Sequence, residues 1–466
     1  MARPRTVQLQ TLFDNLPAGE VVPAADLVDR LGVTRTTLSR LVAEAGDGVV
    51  RLGRTRTTAY AVRQQTAAGS EWPLFRLGPD ATLEELGTVV ALTGETFHVA
   101  TTAARPNLTR SPDETVDGHF PGLPWYLDDL RPQGFLGRTF AHRRGRDLGI
   151  PDDLNRWQLA DTLQALVRAG GTEIGDLLLG GDAVQMALRG LDAPGDRVPA
   201  GERARRYPER AAAALEGEDV GSSPGGEQPK FTATVEHDGG RYAALVKFAQ
   251  PTAGQAAERW ADLLVCEHLA LQCLRDAGMQ AAASEVLQTE THTFLEVQRF
   301  DRTVDVLGRR GFVSLLALSS AFVGDVTLDW GTAGDALLAQ GWVDRDAQAT
   351  MGRLHAFGRL IGNSDMHQGN LGFHLVDRGP LGLAPVYDML PMSLAPSRTG
   401  VVRAPTPLAS VAPERSGQLA HLHWAAPLAV DYWQRVAGSA LLRSAELREL
   451  AAENARRVQA MGQRFG

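Results

Sequence analysis

The chain has 466 residues, of which 44% are hydrophobic and 22% charged, and its formal net charge is −8. This composition is typical of a globular protein with material for roughly three domains. The N-terminal segment MARPRTVQLQ has no apolar signal region, and no stretch approaches the roughly 18 apolar residues of a membrane span, so we expect a cytoplasmic protein. The two cysteines, Cys266 and Cys273, match neither a zinc pattern nor a disulfide framework.

The 47 basic residues include two lysines, Lys230 and Lys247, and the rest are arginines. Arginine and lysine solvate a surface about equally well, but lysine offers a compact point charge that suits a tight phosphate pocket. The two positions are therefore candidates for phosphate binding. Chance retention in an arginine-biased chain is the alternative.

The first 63 residues carry nine arginines against six acids, which gives +3 and leaves −11 for the rest of the chain. PAADLVDRLGV predicts a helix that ends at Gly32, and TRTTLSRLVAEAG predicts a second helix capped by Thr34. VVRLGRTRTTAYAV then predicts two strands around an arginine-rich tip. Together these segments predict a winged helix-turn-helix domain at residues 1–66 that binds double-stranded DNA, with a small protein-docking module as the alternative.

Side chains of the second helix and of the wing are expected to contact bases and phosphates. They are Arg35, Thr36, Thr37, Arg40, Arg54 and Arg56.

A polar linker is expected near residues 64–74. Beyond it, EWPLFRLGPD and GETFHVATTA alternate like strands, and RWQLADTLQALVRAG, GGDAVQMALRG and AGERARRYPERAAAALEGE predict helices. We predict a β-rich subdomain with helices at residues 75–215, and its residues suggest no chemistry by themselves.

A glycine-rich loop at residues 221–231, GSSPGGEQPKF, precedes the strand KFTATVEH, a turn at residues 237–240 and the strand RYAALVKF. Backbone N–H groups of such a loop suit phosphate oxygens, although most glycine-rich loops are only turns. A glycine-rich hairpin followed by a strand lysine is typical of a protein-kinase small lobe, in which the lysine holds the nucleotide phosphates. We predict this lobe at residues 216–300.

The helix AERWADLLVCEHLALQCLRDAGM follows, and its Glu267 is the predicted ion-pair partner of Lys247; a solvated glutamate is the alternative. The strand TFLEVQRF then leads into RFDR at residues 299–302. This extended segment would join the two lobes and line an adenine pocket with Gln298 and Phe300.

GNSDMHQGNLGF, which follows an apolar helix, supplies an aspartate and an asparagine at the spacing of a kinase catalytic loop. Asp365 would accept the hydroxyl proton, while Asn370 and Asp388, which follows an apolar run, would hold Mg²⁺. His367 and His374 lack an HExxH or HxH pattern, which argues against zinc. The mostly helical large lobe is predicted at residues 301–466.

The motifs SxxGxQxK, RFDR, NxDxHxxN and YDMLP, with the strand lysine, resemble the HipA family of serine/threonine kinases, the toxins of bacterial type II toxin–antitoxin pairs. The fused helix-turn-helix and PGLPWYLDDLRPQGFLGR resemble its YjjJ-type members. The resemblance implies an α+β, protein-kinase-like two-lobed fold with an N-terminal winged helix-turn-helix. It also implies ATP and Mg²⁺ as cofactors and autophosphorylation of Ser223, which ejects the loop.

Carried over residue by residue, the resemblance implies three overlapping sets of functional residues. The catalytic residues are Asp365, Asn370, Asp388 and Lys247, and the Mg²⁺ ligands are Asn370 and Asp388. The nucleotide-binding residues are Ser222, Ser223, Gly225, Gly226, Gln228, Lys230, Lys247, Glu267, Gln298, Phe300 and His367. The sequence departs from the family at Gln298, where glutamate is usual, and in carrying its DNA-binding domain in cis.

The sequence thus predicts a kinase that phosphorylates a protein serine or threonine. The family's substrates include aminoacyl-tRNA synthetases, and an antitoxin protein and a second copy of the chain are candidate partners. Two other functions stay open at this point. One is a DNA-binding regulator whose kinase-like body senses nucleotide without transferring phosphate, and the other is a small-molecule kinase.

Overall fold

The computed structural model describes residues 8–53, 57–112, 116–192, 197–216, 228–397 and 399–465. Within them the chain forms an N-terminal helix-turn-helix unit, a β-rich middle domain and two lobes in an α+β arrangement. No helix in these ranges is long and apolar enough to span a membrane.

The N-terminal unit contains the helix pair and the two wing strands expected from the sequence. α2 ends at Gly32, which adopts the left-handed conformation, and the Thr34 side chain accepts the Thr37 N–H at the start of α3. Arg54 and Arg56, predicted at the wing tip, lie outside the described residues. The elements are α1 (Leu9–Asp14), β1 (Val22–Pro23), α2 (Ala24–Leu31), α3 (Arg35–Ala45), β2 (Val49–Leu52) and β3 (Ala59–Val62), with strand order β1-β3-β2.

The middle domain is built on an antiparallel five-stranded sheet. Its strand order is β7-β6-β5-β4-β8. The strands are β4 (Glu71–Leu77), β5 (Leu83–Leu92), β6 (Thr96–Thr101), β7 (His119–Phe120) and β8 (Leu177–Leu179). The helices are α4 (Pro106–Thr109), α5 (Gly134–Leu148), α6 (Leu159–Ala169) and α7 (Gly181–Asp192).

The helix-turn-helix unit is docked on this sheet. The Thr93 N–H donates to the Val62 carbonyl at 2.9 Å, and the Gln64 N–H donates to the Ala91 carbonyl at 2.9 Å. A shared apolar cluster lies beneath these bonds, formed by Val50, Leu52, Ala61, Val90 and Leu92. The N-terminal unit is therefore fixed to the middle domain by backbone pairing and buried apolar contact.

The small lobe is a second five-stranded sheet, in the order β12-β13-β11-β10-β9. On β13, Phe294 packs in the cluster on one face, whereas Leu295 and Val297 pack against α9 on the other, as strand alternation requires. The elements are β9 (Arg197–Pro199), α8 (Arg203–Leu215), β10 (Lys230–His237), β11 (Gly240–Ala249), α9 (Gln255–Asp276), β12 (Ser284–Gln288) and β13 (Thr293–Gln298).

The large lobe is mostly helical, with one small three-stranded sheet in the order β14-β15-β16. Its core holds fully buried aromatic side chains such as Trp330, Phe357 and Trp433. The elements are β14 (Val313–Ser314), α10 (Leu315–Phe322), α11 (Trp330–Ala339), α12 (Arg345–Leu360), β15 (Gly372–His374), β16 (Gly382–Leu383), α13 (Gln418–Gly438) and α14 (Ala445–Gly462).

Candidate active site

A buried ammonium group lies at the centre of the site. Lys247, near the end of β11, donates from Nζ to both carboxylate oxygens of Glu267 on α9, each at 2.8 Å. The same Nζ contacts the Oδ1 atom of Asp388. The side chains of Lys247 and Glu267 are 7% and 1% exposed, so the pair is shielded from water. A charge this deeply buried is tolerated because it is paired and hydrogen-bonded.

The pKa values of this cluster follow from burial and mutual attraction. Burial alone would lower the pKa of Lys247, but Asp388 and Glu267 raise it above its usual range, so the ammonium keeps its proton. Burial alone would raise the pKa of Asp388, yet Lys247 and Lys230 outweigh it and hold this pKa below its usual range. Burial raises the pKa of Glu267, because the cost of removing its carboxylate from water exceeds the attraction of the Lys247 charge. Asp388 is therefore the firmly ionised carboxylate.

The backbone at Asp388 is unusual. Its φ of 52° lies in the left-handed region, which residues other than glycine seldom adopt. Such conformations persist where surrounding contacts impose them, and they cluster at functional sites. The preceding Tyr387 supplies such contacts, because its hydroxyl donates to the Gly369 carbonyl at 2.8 Å and its ring stacks on Phe300 with centroids 5.8 Å apart.

The loop between α12 and β15 carries Asp365 and Asn370. The Asn370 side-chain amide donates to the backbone carbonyl of Asp365 at 2.9 Å, which closes the loop on itself. The Asp365 N–H donates to Oδ1 of the buried Asn363 at 3.0 Å, and the Asp365 side chain stays exposed to solvent. The carboxylate of Asp365 is therefore accessible to solvent, while its backbone is held in place.

Two further hydrogen bonds join this loop to other parts of the large lobe. Trp330 donates from Nε1 to the His367 carbonyl at 3.2 Å, and the buried Gln368 donates to the Leu328 carbonyl at 3.0 Å. His367 itself is exposed, and its Nδ1 accepts the Gly369 N–H at 3.0 Å. His367 therefore helps to shape the loop through its ring nitrogen.

Strand β10 of the small lobe begins at Lys230 and places this residue next to the cluster. Lys230 and Lys247 are directly opposite each other in the β10–β11 ladder, and the charge of Lys230 acts on both Glu267 and Asp388. Just before it, the Gln228 side chain donates to the Phe248 carbonyl. The predicted loop residues Ser222, Ser223, Gly225 and Gly226 lie outside the described residues.

The donor set fits Mg²⁺. Asn370 offers an amide oxygen and Asp388 an ionised carboxylate, which are hard oxygen ligands of the type that Mg²⁺ takes alongside phosphate oxygens. Within the described residues, no group of three or more His, Cys, Asp or Glu side chains is arranged to hold a metal without such help.

A cavity of about 340 Å³ lies at the segment that joins the lobes. Gln298 and Phe300, the predicted adenine contacts, are among its lining residues, together with Arg310 and His374. The described residues that line it include neither Lys247 nor Asp388. The cavity therefore lies beside the segment, apart from the ammonium–carboxylate cluster.

The RFDR motif fixes this segment to the middle domain. Asp301 accepts from Arg299 at 2.8 Å, from Arg302 at 2.5 Å and from the Gly175 N–H at 2.9 Å. The two guanidinium groups also donate to carbonyl oxygens of residues 172–175. Burial alone would raise the pKa of Asp301, but Arg299 and Arg302 hold it well below its usual range. This anchor was not predicted from the sequence, and the available signal was an aspartate with an arginine on either side in the motif.

A second anchor, also not predicted, holds α8, the helix before the glycine-rich segment. The buried Glu296 on β13 accepts from the hydroxyl groups of Tyr207 and Tyr242 and from Arg203, the latter two at 2.5 and 3.1 Å. Arg203 also reaches Glu285 at 2.7 Å. The glutamate in TFLEVQ interrupts an otherwise apolar strand, and this was the available signal for a buried polar network.

Comparisons with known proteins place these features in a family. Residues 68–188 match the YjjJ-like toxin middle domain, and residues 222–461 match the HipA-like C-terminal domain. Toxin YjjJ of Escherichia coli (strain K12) is 36% identical over 417 residues, which cover 89% of this chain and 90% of the relative.

Two solved structures are also similar. The Shewanella oneidensis MR-1 toxin–antitoxin complex of HipA, HipB and operator DNA aligns with a TM-score of 0.48 and 16% identity, over 84% of this chain and 97% of that chain. The Helicobacter pylori proinflammatory kinase CtkA aligns with a TM-score of 0.36 and 11% identity, over 50% of this chain and 94% of that chain. The domain matches and the 36% identity decide the assignment: the chain belongs to the HipA-like toxin family and is of the YjjJ type.

Proposed function

We propose that the chain is an ATP- and Mg²⁺-dependent kinase that phosphorylates a serine or threonine of a protein in the cytoplasm. The observation that carries this proposal is the position of Lys247 between Glu267 and Asp388, beside the loop that holds Asp365 and Asn370. A lysine held by a helix glutamate, an ionised aspartate and an Asp/Asn loop are the parts that phosphoryl transfer requires.

Each side chain then has a role that follows from its surroundings. Lys247 would bind the α- and β-phosphates, since its ammonium is kept charged and is already oriented by Glu267. Asp365 would accept the proton of the substrate hydroxyl, because its carboxylate is exposed while its backbone is fixed. Asn370 and Asp388 would hold Mg²⁺, which when bound neutralises charge on the phosphates. Catalysis would rest on this positioning and on fixed charges.

The contact between Lys247 and Asp388 supports one shared site for the nucleotide phosphates and the metal. In the structure the ammonium neutralises the carboxylate that is proposed to bind the metal. Lys247 would bind the phosphates while it stays paired with Glu267, and Asp388 would hold Mg²⁺.

Ser223 is proposed as the autophosphorylation site, on the resemblance of the glycine-rich loop alone. The modified serine would carry about −1.5 to −2 charges and repel the phosphates of ATP. Autophosphorylation would then restrain the enzyme.

A test of the kinase proposal uses the purified full-length chain in a cell lysate with γ-labelled ATP and Mg²⁺. The proposal expects labelled protein bands that bear phosphoserine or phosphothreonine and that depend on the added chain. Label found only in small molecules would favour a small-molecule kinase. Tight MgATP binding with no transfer to any acceptor would favour a nucleotide-sensing regulator.

DNA binding is proposed as a second function of the same chain. The observation that favours it is the exposed face of α3, where Arg35, Thr36 and Arg40 are open to solvent and follow the Thr34 cap. An exposed second helix of this kind can enter the major groove. The fixed docking of this unit would carry the kinase body to the bound site.

Salt titration of duplex binding by the full-length chain tests this second function. If Arg35 and Arg40 neutralise phosphates, each alanine variant should reduce the slope of log affinity against log salt by about 0.9. Arg345→Ala, an exposed arginine of the large lobe, is the matched control and should leave the slope unchanged. Affinity that ignores salt would reject the proposal.

A further inference from the structure

One turn of the middle domain is inserted against the large lobe. This short 3₁₀ helix spans Trp125–Leu130, within the PGLPWYLDDLRPQG motif. The Trp125 ring contacts Trp342 and Phe322 of the large lobe, with ring centroids 5.1 and 5.6 Å apart. All three rings are edge-on or tilted, as packed aromatic pairs prefer. The turn is therefore held firmly, and its next side chains have fixed positions.

Asp129 on this turn forms a hydrogen bond to the strand beside the catalytic loop. Its Oδ2 atom accepts the Ser314 N–H at 2.6 Å. Ser314 lies in β14, opposite Gly372 of β15, and the adjacent Leu315 N–H donates to the Leu371 carbonyl at 2.8 Å. Leu371 directly follows Asn370. A short series of hydrogen bonds thus joins Asp129 to the loop that carries Asn370 and Asp365.

We propose that Asp129 is a positioning residue for phosphoryl transfer, supplied by the middle domain to the kinase lobes. It would act through Ser314 and Leu371 on Asn370 and Asp365, without touching nucleotide or substrate. This inference rests on the proposed kinase function for its activity readout. It gives the middle domain a part in catalysis that its sequence alone did not suggest.

Asp128 provides a matched control. It is the adjacent carboxylate on the same turn, but its Oδ1 accepts from Arg131 at 2.8 Å in a half-exposed pair. A loss of negative charge or a general weakening of the turn would affect both variants. Only a role of Asp129 that acts through Ser314 would make the Asp129 and Asp128 variants behave differently.

The activity test compares Asp129→Ala, Asp129→Asn and Asp128→Ala in the full-length chain. Asp129→Ala should lower kcat by at least about tenfold, because small displacements of catalytic groups are costly, while KM for MgATP changes by less than about twofold. Asp129→Asn keeps an oxygen that accepts the Ser314 N–H and should recover most of kcat. Asp128→Ala should match the wild type. Equal kcat in Asp129→Ala and Asp128→Ala would overturn the proposal.

A second measurement does not depend on activity. Amide hydrogen exchange should accelerate at residues 313–315 and 369–373 in Asp129→Ala, and not in Asp128→Ala. Unchanged exchange at these residues would overturn the positioning role even if the wild type is an active kinase. A wild type without phosphotransfer, combined with accelerated exchange, would reject the kinase function while leaving the structural link in place.

Discussion

Lys230 and Lys247, the two lysines of the chain, lie directly opposite each other in the β10–β11 ladder. Cross-strand partners share one face of a sheet, and two like charges placed there destabilise it. Glu267 and Asp388 compensate for this repulsion, because the positive charges of both lysines act on each of the two carboxylates. The pairing concentrates positive charge where phosphates are proposed to bind, and it gives a physical reason for retaining ammonium groups at these positions.

Exchanging each lysine for arginine should have unequal effects. In Lys247→Arg the guanidinium is too broad to sit between Glu267 and Asp388, so the phosphotransfer rate at saturating MgATP should fall by about 10²–10³. Lys230→Arg keeps the charge at a half-buried site and should mainly weaken nucleotide affinity. Thermal melts serve as the folding control. A well-folded Lys247→Arg with wild-type turnover would remove the nucleotide role from that residue.

Autophosphorylation should depend on Ser223. After incubation with MgATP, intact-mass analysis is expected to show added phosphate on the wild type and none on Ser223→Ala. The modified wild type should bind ATP poorly, because the added charge repels the nucleotide phosphates. Ser222→Ala and the double variant control for the neighbouring hydroxyl. Equal phosphate gain in the wild type and the double variant would contradict this prediction.

The anchor at Glu296 should dominate the stability of the small lobe. Glu296→Ala leaves the hydroxyl groups of Tyr207 and Tyr242 without their acceptor and removes the buried one of the two carboxylate partners of Arg203, so the free energy of unfolding should fall by about 3 kcal/mol or more. Glu285→Ala removes the exposed partner of the same arginine and should cost less than about 1 kcal/mol. Chemical denaturation of both variants measures the difference. Equal destabilisation by the two variants would show that the buried hydrogen bonds to Glu296 contribute no more to stability than the exposed ion pair does.

Acid should destabilise the middle domain through His98. Burial lowers the pKa of this ring on β6 to about 4, so the folded state keeps it neutral while the unfolded state takes up a proton near pH 6.5. The contribution of neutral His98 to the free energy of unfolding is therefore fully present above pH 6.5. It is lost as the pH falls toward 4, by up to about 3 kcal/mol.

Thermal melts between pH 7.5 and 4.5 test this by comparison with His98→Gln. The variant cannot take up the proton, so it should lose less stability on acidification than the wild type. His142→Gln, an exposed histidine of α5, should follow the wild type. Parallel losses in wild type and His98→Gln would contradict the assignment.

Local signals made much of the fold predictable. The helix pair near Gly32 and Thr34 followed from capping residues, which act within one turn. The β10–β11 hairpin followed from alternation around a glycine turn. The central strand β5 was not predicted, because LEELGTVVAL is rich in residues that also form helices, and pairing with β4 and β6 decides its state.

The site was predictable to the extent that its motifs are contiguous or regularly spaced. Glu267 follows Lys247 by twenty positions, across the end of β11 and the first half of α9, and the structure joins the two side chains. The contact of Lys247 with Asp388 crosses 141 positions, and that of Asp129 with Ser314 crosses 185. Neither has a local pattern, since both depend on how whole domains pack. The nucleotide, metal and DNA roles of all these residues stay predictions.

Asp365→Asn provides the most direct measurement of the central claim, that this loop and the Lys247 cluster transfer phosphate. The variant keeps the size of the side chain and its backbone bond to Asn363, but it cannot accept the proton. We expect MgATP affinity within about twofold of the wild type and a phosphotransfer rate lower by about 10²–10⁴, the usual contribution of general acid–base catalysis. Wild-type transfer by Asp365→Asn, at equal nucleotide affinity, would contradict the account.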